Sequence, residues 1–246
     1  MLGPLAEHRF LIVPQVAVLL AVSERTALNR LKTLERDRLC VFHKVFHGLP
    51  WAASIQSRGL RALDSPLKAP PKLNYNEYRH DVGVGWLWLA ARAGGFGELR
   101  GIATDRRMQA DDLSAAAAGR RPQWGIGVGL LGSRGRPQRH YPDLMLDTAS
   151  GHRVAVELEL TGKSAGRMER IMSAYASDAR IDHVLYLAAS RAIATRAIDS
   201  ARRAGISDRV HVQMLARDGI AGAEIGQMRA LGRARAASRT REGAAR

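Results

Sequence analysis

The chain has 246 residues, and its 38 Lys and Arg against 23 Asp and Glu leave a formal charge of +15. Hydrophobic residues make up 46%, enough for a core and too many for wholesale disorder. Cys40, the single cysteine, excludes a disulfide framework or a multi-cysteine zinc cluster and suits a reducing compartment. The charge points to a polyanionic partner. Its position matters more than its total, because Lys32, Lys44, Lys68, Lys72 and Lys163 are the only lysines and the abundance of Arg, Ala and Gly also fits a biased base composition.

The longest apolar stretch, Phe10 to Val22, contains Pro14 and Gln15 and falls short of the roughly 20 apolar residues of a membrane span. Glu7 precedes it, no basic n-region opens it and no small-residue cleavage site follows, so it reads as part of a folded domain rather than a signal peptide. A soluble, cytoplasmic protein without membrane contact is expected. Pro14 to Val22 predicts a short helix. Ser23 then serves as N-cap for a second helix over 24–38, with Ala27, Leu28, Leu31, Leu34 and Leu39 as its apolar stripe. Cys40 to Phe46 and Trp51 to Ile55 read as two strands of a hairpin about His47-Gly48-Leu49-Pro50, and Ser57 is expected to cap a short helix holding Leu60 and Leu63.

Two helices across a tight turn, the second with a basic outer face, followed by a hairpin, predict a winged helix-turn-helix over 1–65. Its second helix would enter the major groove of double-stranded DNA, with Arg25, Thr26, Asn29 and Arg30 near base edges and Lys32, Arg36 and the wing residue Lys44 on phosphates. The alternative is a winged helix that binds protein and whose basic face is merely solvated. Three prolines within Ser65 to Lys72 mark a linker, assigned to 66–73.

Beyond it, 74–218 is expected to form a second domain and 219–246 a basic, partly disordered tail. Tyr75 to Arg92 reads as a helix with Trp86 and Trp88 in the core, although Gly83 and Gly85 weaken its first half. Then come a strand over 99–103, a helix over 105–118, a basic loop carrying Arg120, Arg121, Arg134, Arg136 and Arg139, strands over 143–148 and 152–160, a helix over 165–179, a strand over 183–188, a helix over 191–204 and a strand over 209–215. This alternation predicts an α+β protein whose second domain is an α/β core with a mixed sheet.

The acidic pattern in that domain carries the chemistry. A hairpin about Ser150 would set residue 144 opposite 156 and 146 opposite 154, bringing Asp143 opposite Glu157, with Glu159 two residues on along the same face. Like charges so placed repel, and something cationic should compensate. A hard divalent ion, Mg²⁺ or Mn²⁺, among these carboxylates would do so and could activate a water, with Lys163 as the nearby cation to steady charge on a phosphate. The alternative is that Glu157 and Glu159 form the wet face of an edge strand, neutralised by Arg153, Lys163 or helix arginines.

Pro142-Asp143 on one strand, Glu157-Leu158-Glu159 on the next and a helix after it resemble the restriction-endonuclease-like core, and the resemblance implies Asp143 and Glu157 as metal ligands in a catalytic set where Glu159 occupies the position of the signature lysine and Lys163 stands in for it. Taken with the N-terminal module, Arg79-His80-Asp81-Val82, the run Val156 to Ser164, and Arg167 and Tyr175 beyond it, the chain over about 8–215 is similar to plasmid replication-relaxation proteins. The resemblance implies a winged helix followed by a restriction-endonuclease-like domain, and DNA binding in replication or transfer of a plasmid or mobile element, with metal-dependent nicking left open by the lysine departure. A winged-helix transcriptional regulator with a non-catalytic C-terminal domain, a protein-recruitment adaptor and a homodimer also stay open. His80 and Asp81 either approach the acidic face or pack and cap within their helix. Tyr175 either meets a phosphate or lies in the core, and His140 and His152 flank the hairpin too loosely for a metal.

Overall fold

A computed structural model describes residues 1–45, 47–131 and 137–215. The expected tail at 219–246, and Phe46, Arg134 and Arg136, lie outside the described residues. The chain is α+β, with eight helices among the described residues and a mixed five-stranded sheet. No described helix is long and apolar enough to cross a membrane. It divides into two compact units with the boundary between Gly95 and Phe96.

The N-terminal unit begins with α1 (Leu2–Glu7) and β1 (Leu11–Ile12), neither of which sequence periodicity foretold. Next come α2 (Val13–Leu20), with its proline in the first turn as expected, and α3 (Glu24–Arg36). Ala21, in the left-handed region at φ 52°, ends α2, and Ser23 caps α3 by accepting from Thr26 N at 3.1 Å. Strands β2 (Cys40–His43) and β3 (Ala52–Ile55) pair antiparallel, Cys40 opposite Ile55 and His43 opposite Ala52, and β1 adds on the far side of β3. In α4 (Ser57–Ala62) the cap position is Gln56 without a side-chain bond, so Ser57 is the first helical residue instead of the expected cap.

Helix α5 (Tyr78–Arg92) belongs to this unit and not to the C-terminal one, so the compact body extends past the boundary expected at 66–73. The physical reason lies in its contacts. Phe10 stacks on Tyr78 at 5.4 Å, His8 meets Trp88 edge-on at 4.9 Å, and the buried Gln15 amide donates to Val82 O at 2.8 Å while accepting from Ile12 N at 3.0 Å. Gly85 leaves room for the Gln15 amide: a Cβ there would lie 2.6 Å from Gln15 Nε2 and push the amide from its place. Trp86 and Trp88 are buried in the core, and Asp81 faces Arg9 at 3.5 Å, which makes it a packing and pairing residue of this unit.

The C-terminal unit comprises β4 (Leu99–Thr104), α6 (Asp105–Ala117), β5 (Ile126–Leu131), β6 (Pro137–His140), β7 (Leu144–Thr148), β8 (Arg153–Glu159), α7 (Ala165–Ser177), β9 (His183–Ala188), α8 (Arg191–Arg203) and β10 (Val210–Met214). The sheet order is β10-β9-β8-β7-β4, antiparallel from β4 through β8 and parallel from β8 through β10. The register is the expected one, with Leu144 opposite Val156 and Leu146 opposite Val154. The expected basic loop instead contains a β5–β6 hairpin.

One core of this unit joins Met145, Ala155, Val184, Tyr186 and Ala188 of the sheet to Met168, Ile171, Met172 and Tyr175 of α7 and Ile193, Ala194 and Ala197 of α8. Alternation along β8 puts Glu157 and Glu159 on the same face as Ala155. The two helices therefore cover the acidic residues.

Candidate functional site

Helix α3 presents its polar residues on one side. Ala27 and Leu31 are buried, whereas Arg25, Asn29, Arg30, Lys32 and Arg36 are exposed, as is Lys44 just after β2. Positions 25, 29, 32 and 36 recur at helical spacing and fall on one face. Among the described residues Arg36 pairs with its neighbour Asp37 at 3.6 Å, and both partners are exposed. Thr26 differs from the expected base-edge role: its hydroxyl lies 2.9 Å from Ser23 Oγ and its N–H bonds the same oxygen, so it holds the helix start.

In the C-terminal unit the acids come together, but not on an exposed face. Glu157 is 3% exposed and Glu159 5%, and β8 is a central strand. Both expectations of a solvent-facing cluster, as metal site or as wet strand edge, are corrected by the covering helices. Each carboxylate has its own partners. Asp143 Oδ2 accepts from Leu158 N at 2.7 Å. Glu157 Oε1 accepts from His140 Nε2 at 2.5 Å and from the Tyr175 hydroxyl. Glu159 Oε2 accepts from Tyr186 OH at 2.8 Å and pairs with Lys163, four residues on. Arg153, one expected neutraliser, pairs with Asp147 at 3.1 Å instead.

The electrostatics follow from this pairing. Burial raises the Glu157 carboxyl, but the charge and hydrogen bond of His140, the charge of Lys163 and the bond from Tyr175 outweigh it and hold the group below its ordinary 4.5. Burial alone would lower His140, yet Glu157's charge and hydrogen bond raise it above 6.5. The Tyr175 and Tyr186 hydroxyls are pushed well up by burial and by Glu157 and Glu159 respectively, so both remain protonated donors. Tyr175 is fully buried and holds Glu157; it does not face a phosphate.

His140 reaches this cluster from the end of β6, and its strand is anchored from α6. The buried Asp112 accepts from Gln123 N and Gly125 N, both at 2.7 Å, from Trp124 N at 3.1 Å and from Tyr141 OH at 3.2 Å. Burial and Asp112 push the Tyr141 hydroxyl up to about 12. The Arg139 and Tyr141 side chains close over Gly125, where a Cβ would lie 2.8 Å from both Arg139 Cδ and Tyr141 Cζ. Sequence reading missed His140, Tyr186 and Asp112 as members of the site. The available signal for His140 was its position three residues before Asp143.

A divalent ion does not fit this arrangement as it stands. His140 and Lys163 already stand opposite Glu157 and Glu159, and among the described residues no three His, Cys, Asp or Glu side chains converge in a way that could hold a metal. Of the four residues expected to be catalytic, Glu159 and Lys163 pair with each other, Glu157 pairs with His140, and Asp143 accepts from the backbone of β8. Compared with known proteins, the chain matches no family model, no curated protein and no solved structure.

Proposed function

We propose that the chain is a DNA-binding protein whose N-terminal unit is a winged helix and whose C-terminal unit is a restriction-endonuclease-like domain that works without metal-dependent cleavage. The single observation that carries the DNA-binding reading is the exposed strip Arg25, Asn29, Lys32 and Arg36 on α3, behind a helix start fixed by Ser23 and next to a β2–β3 hairpin carrying Lys44. The order α1-β1-α2-α3-β2-β3, with β1 pairing β3, supports the winged-helix reading because it seats α3 on a small sheet and leaves its polar face outward. In this reading Arg25, Asn29 and Arg30 approach base edges while Lys32, Arg36 and Lys44 neutralise phosphates.

Pro142-Asp143 before β7, Glu157 and Glu159 at the end of β8 and α7 beyond support the restriction-endonuclease-like reading. The paired state of Glu157 and Glu159 supports a non-catalytic role for it. Association with replication or transfer of a plasmid or mobile element rests on the resemblance to plasmid replication-relaxation proteins.

Supercoiled plasmid tests the whole. Wild type should retard it in EDTA, in Mg²⁺ and in Mn²⁺ alike without nicking it, and Arg30→Glu should weaken retardation. Metal-dependent nicking that Glu157→Ala abolishes would overturn the non-catalytic reading. Absence of any salt-dependent retardation would overturn DNA binding and favour a protein-recruitment adaptor.

A further inference from the structure

Around the turn between β8 and α7 the charges do not balance. Residues 160–168 contain Lys163 and Arg167 and no acid. Lys163 is already paired with Glu159. The only acid of α7, Glu169, meets Arg203 at 3.0 Å, and the only acid of α8, Asp199, meets Arg202 at 3.3 Å. That leaves Arg167, Arg170 and Arg196 exposed and, among the described residues, without a carboxylate partner.

These arginines are gathered at one turn. Arg196 Nη1 donates to Lys163 O at 2.6 Å and lies 3.4 Å from where a Cβ on Gly162 would be. Arg170 Nη1 lies 3.5 Å from the Cβ position of Gly166. Arg167 and Arg170 share a helix face at i and i+3. Two guanidinium groups therefore lie beside glycine backbone that no side chain of its own shields, and the surrounding Thr161, Gly162, Ser164, Ala165 and Gly166 are small and exposed. A protein partner would find no aromatic or large apolar anchor there. A tetrahedral phosphate suits the site, because guanidinium forks bind its oxygens bidentately and the bare glycine backbone admits close approach.

We infer that Arg167, Arg170 and Arg196, with the open backbone of Gly162 and Gly166, form a second contact for the phosphodiester backbone of DNA, carried by the C-terminal unit. The inference rests on the DNA-binding reading above and assigns part of the phosphate contact to a unit that reading leaves without one. Its signature is the salt dependence of affinity, since each neutralised phosphate contributes about 0.9 to the slope of log K against log salt on duplex DNA.

The test uses the full chain, a labelled duplex and fluorescence anisotropy between about 50 and 200 mM salt in EDTA. Arg167→Gln/Arg170→Gln/Arg196→Gln should lower the slope by about two to three and the affinity at least tenfold near 100 mM salt. Arg202→Gln/Arg203→Gln, which removes arginines already paired with acids, should change the slope by less than about one. Arg167→Gln/Arg170→Gln leaves the Arg196 bond to Lys163 O intact and should lower the slope by about two, with an unchanged circular dichroism melt. An unchanged slope in the triple and double variants, while Arg30→Glu still weakens binding, would overturn this inference and leave the DNA-binding reading standing. Equal losses in the paired and unpaired arginine variants would also overturn it, by showing a bulk charge effect. Failure of wild type to bind the duplex would overturn both.

Discussion

In the N-terminal unit Arg25, Asn29, Lys32 and Arg36 stand on an exposed helix face, whereas in the C-terminal unit Glu157 and Glu159 lie at 3% and 5% exposure, held by His140, Tyr175, Lys163 and Tyr186. The contrast separates two uses of charge. Exposed cations keep their hydration and are available to a polyanion at little cost to the fold. Buried carboxylates must be compensated internally, and their compensation makes them part of the fold's stability rather than a vacancy for a ligand. The difference follows from topology, since α3 leaves its polar side uncovered while α7 and α8 cover the acidic face of β8.

Removing a buried partner should have the largest effect. Glu157→Ala leaves His140 and the Tyr175 hydroxyl without their acceptor and should cost about 3–5 kcal/mol, measured as a lower urea midpoint of the transition belonging to the C-terminal unit. A metal-binding role without structural weight would instead leave the midpoint unchanged in EDTA. On the exposed side, Arg25→Ala should cost DNA binding about 1–3 kcal/mol, with no shift in the same unfolding transition.

The ionisation of the buried pair makes the stability of the C-terminal unit depend on pH. Glu157 is held below 4.5, so its contribution is present above that value and is lost as pH falls through its lowered native pKa. His140 is raised above 6.5, so its contribution is full below 6.5 and is lost as pH rises through its raised native pKa. Both operate together between 4.5 and 6.5. Urea unfolding should therefore show the C-terminal unit losing stability as pH is raised from that window into the alkaline range, and His140→Gln should flatten this dependence. The smallest expected effect is at the helix start: Ser23→Ala should cost about 1 kcal/mol of stability in the N-terminal unit, read from its own unfolding transition.

Much of the architecture was legible in the residues. The apolar run Leu144 to Leu146 and the alternation of Val154 to Leu158 made the β7–β8 register legible, and Ser23 with the Ala27/Leu31 stripe marked α3. The hairpin of β5 and β6 was hidden because Gly127 and Gly129 break the pattern of its first strand and because its arginines suggested a basic loop. The two-residue strand β1 is too short to show a period, and its pairing with β3 depends on distant residues. For the site, the grouping of Asp143, Glu157, Glu159 and Lys163 was visible as spacing along two strands. Their burial was not, since nothing local to Glu157 shows that α7 and α8 fold back over it or that His140 arrives from another hairpin anchored by Asp112. Position 85 reversed a local preference for the same reason: a glycine that weakens a helix in isolation makes room for the Gln15 amide.

The most direct test of the central claim is the affinity of the full chain for duplex DNA in EDTA, compared between wild type and Arg25→Glu/Lys32→Glu. The account predicts salt-sensitive binding by wild type that the reversed charges weaken at least tenfold, as expected for about two lost phosphate or base-edge contacts. Equal binding by the two proteins would contradict it.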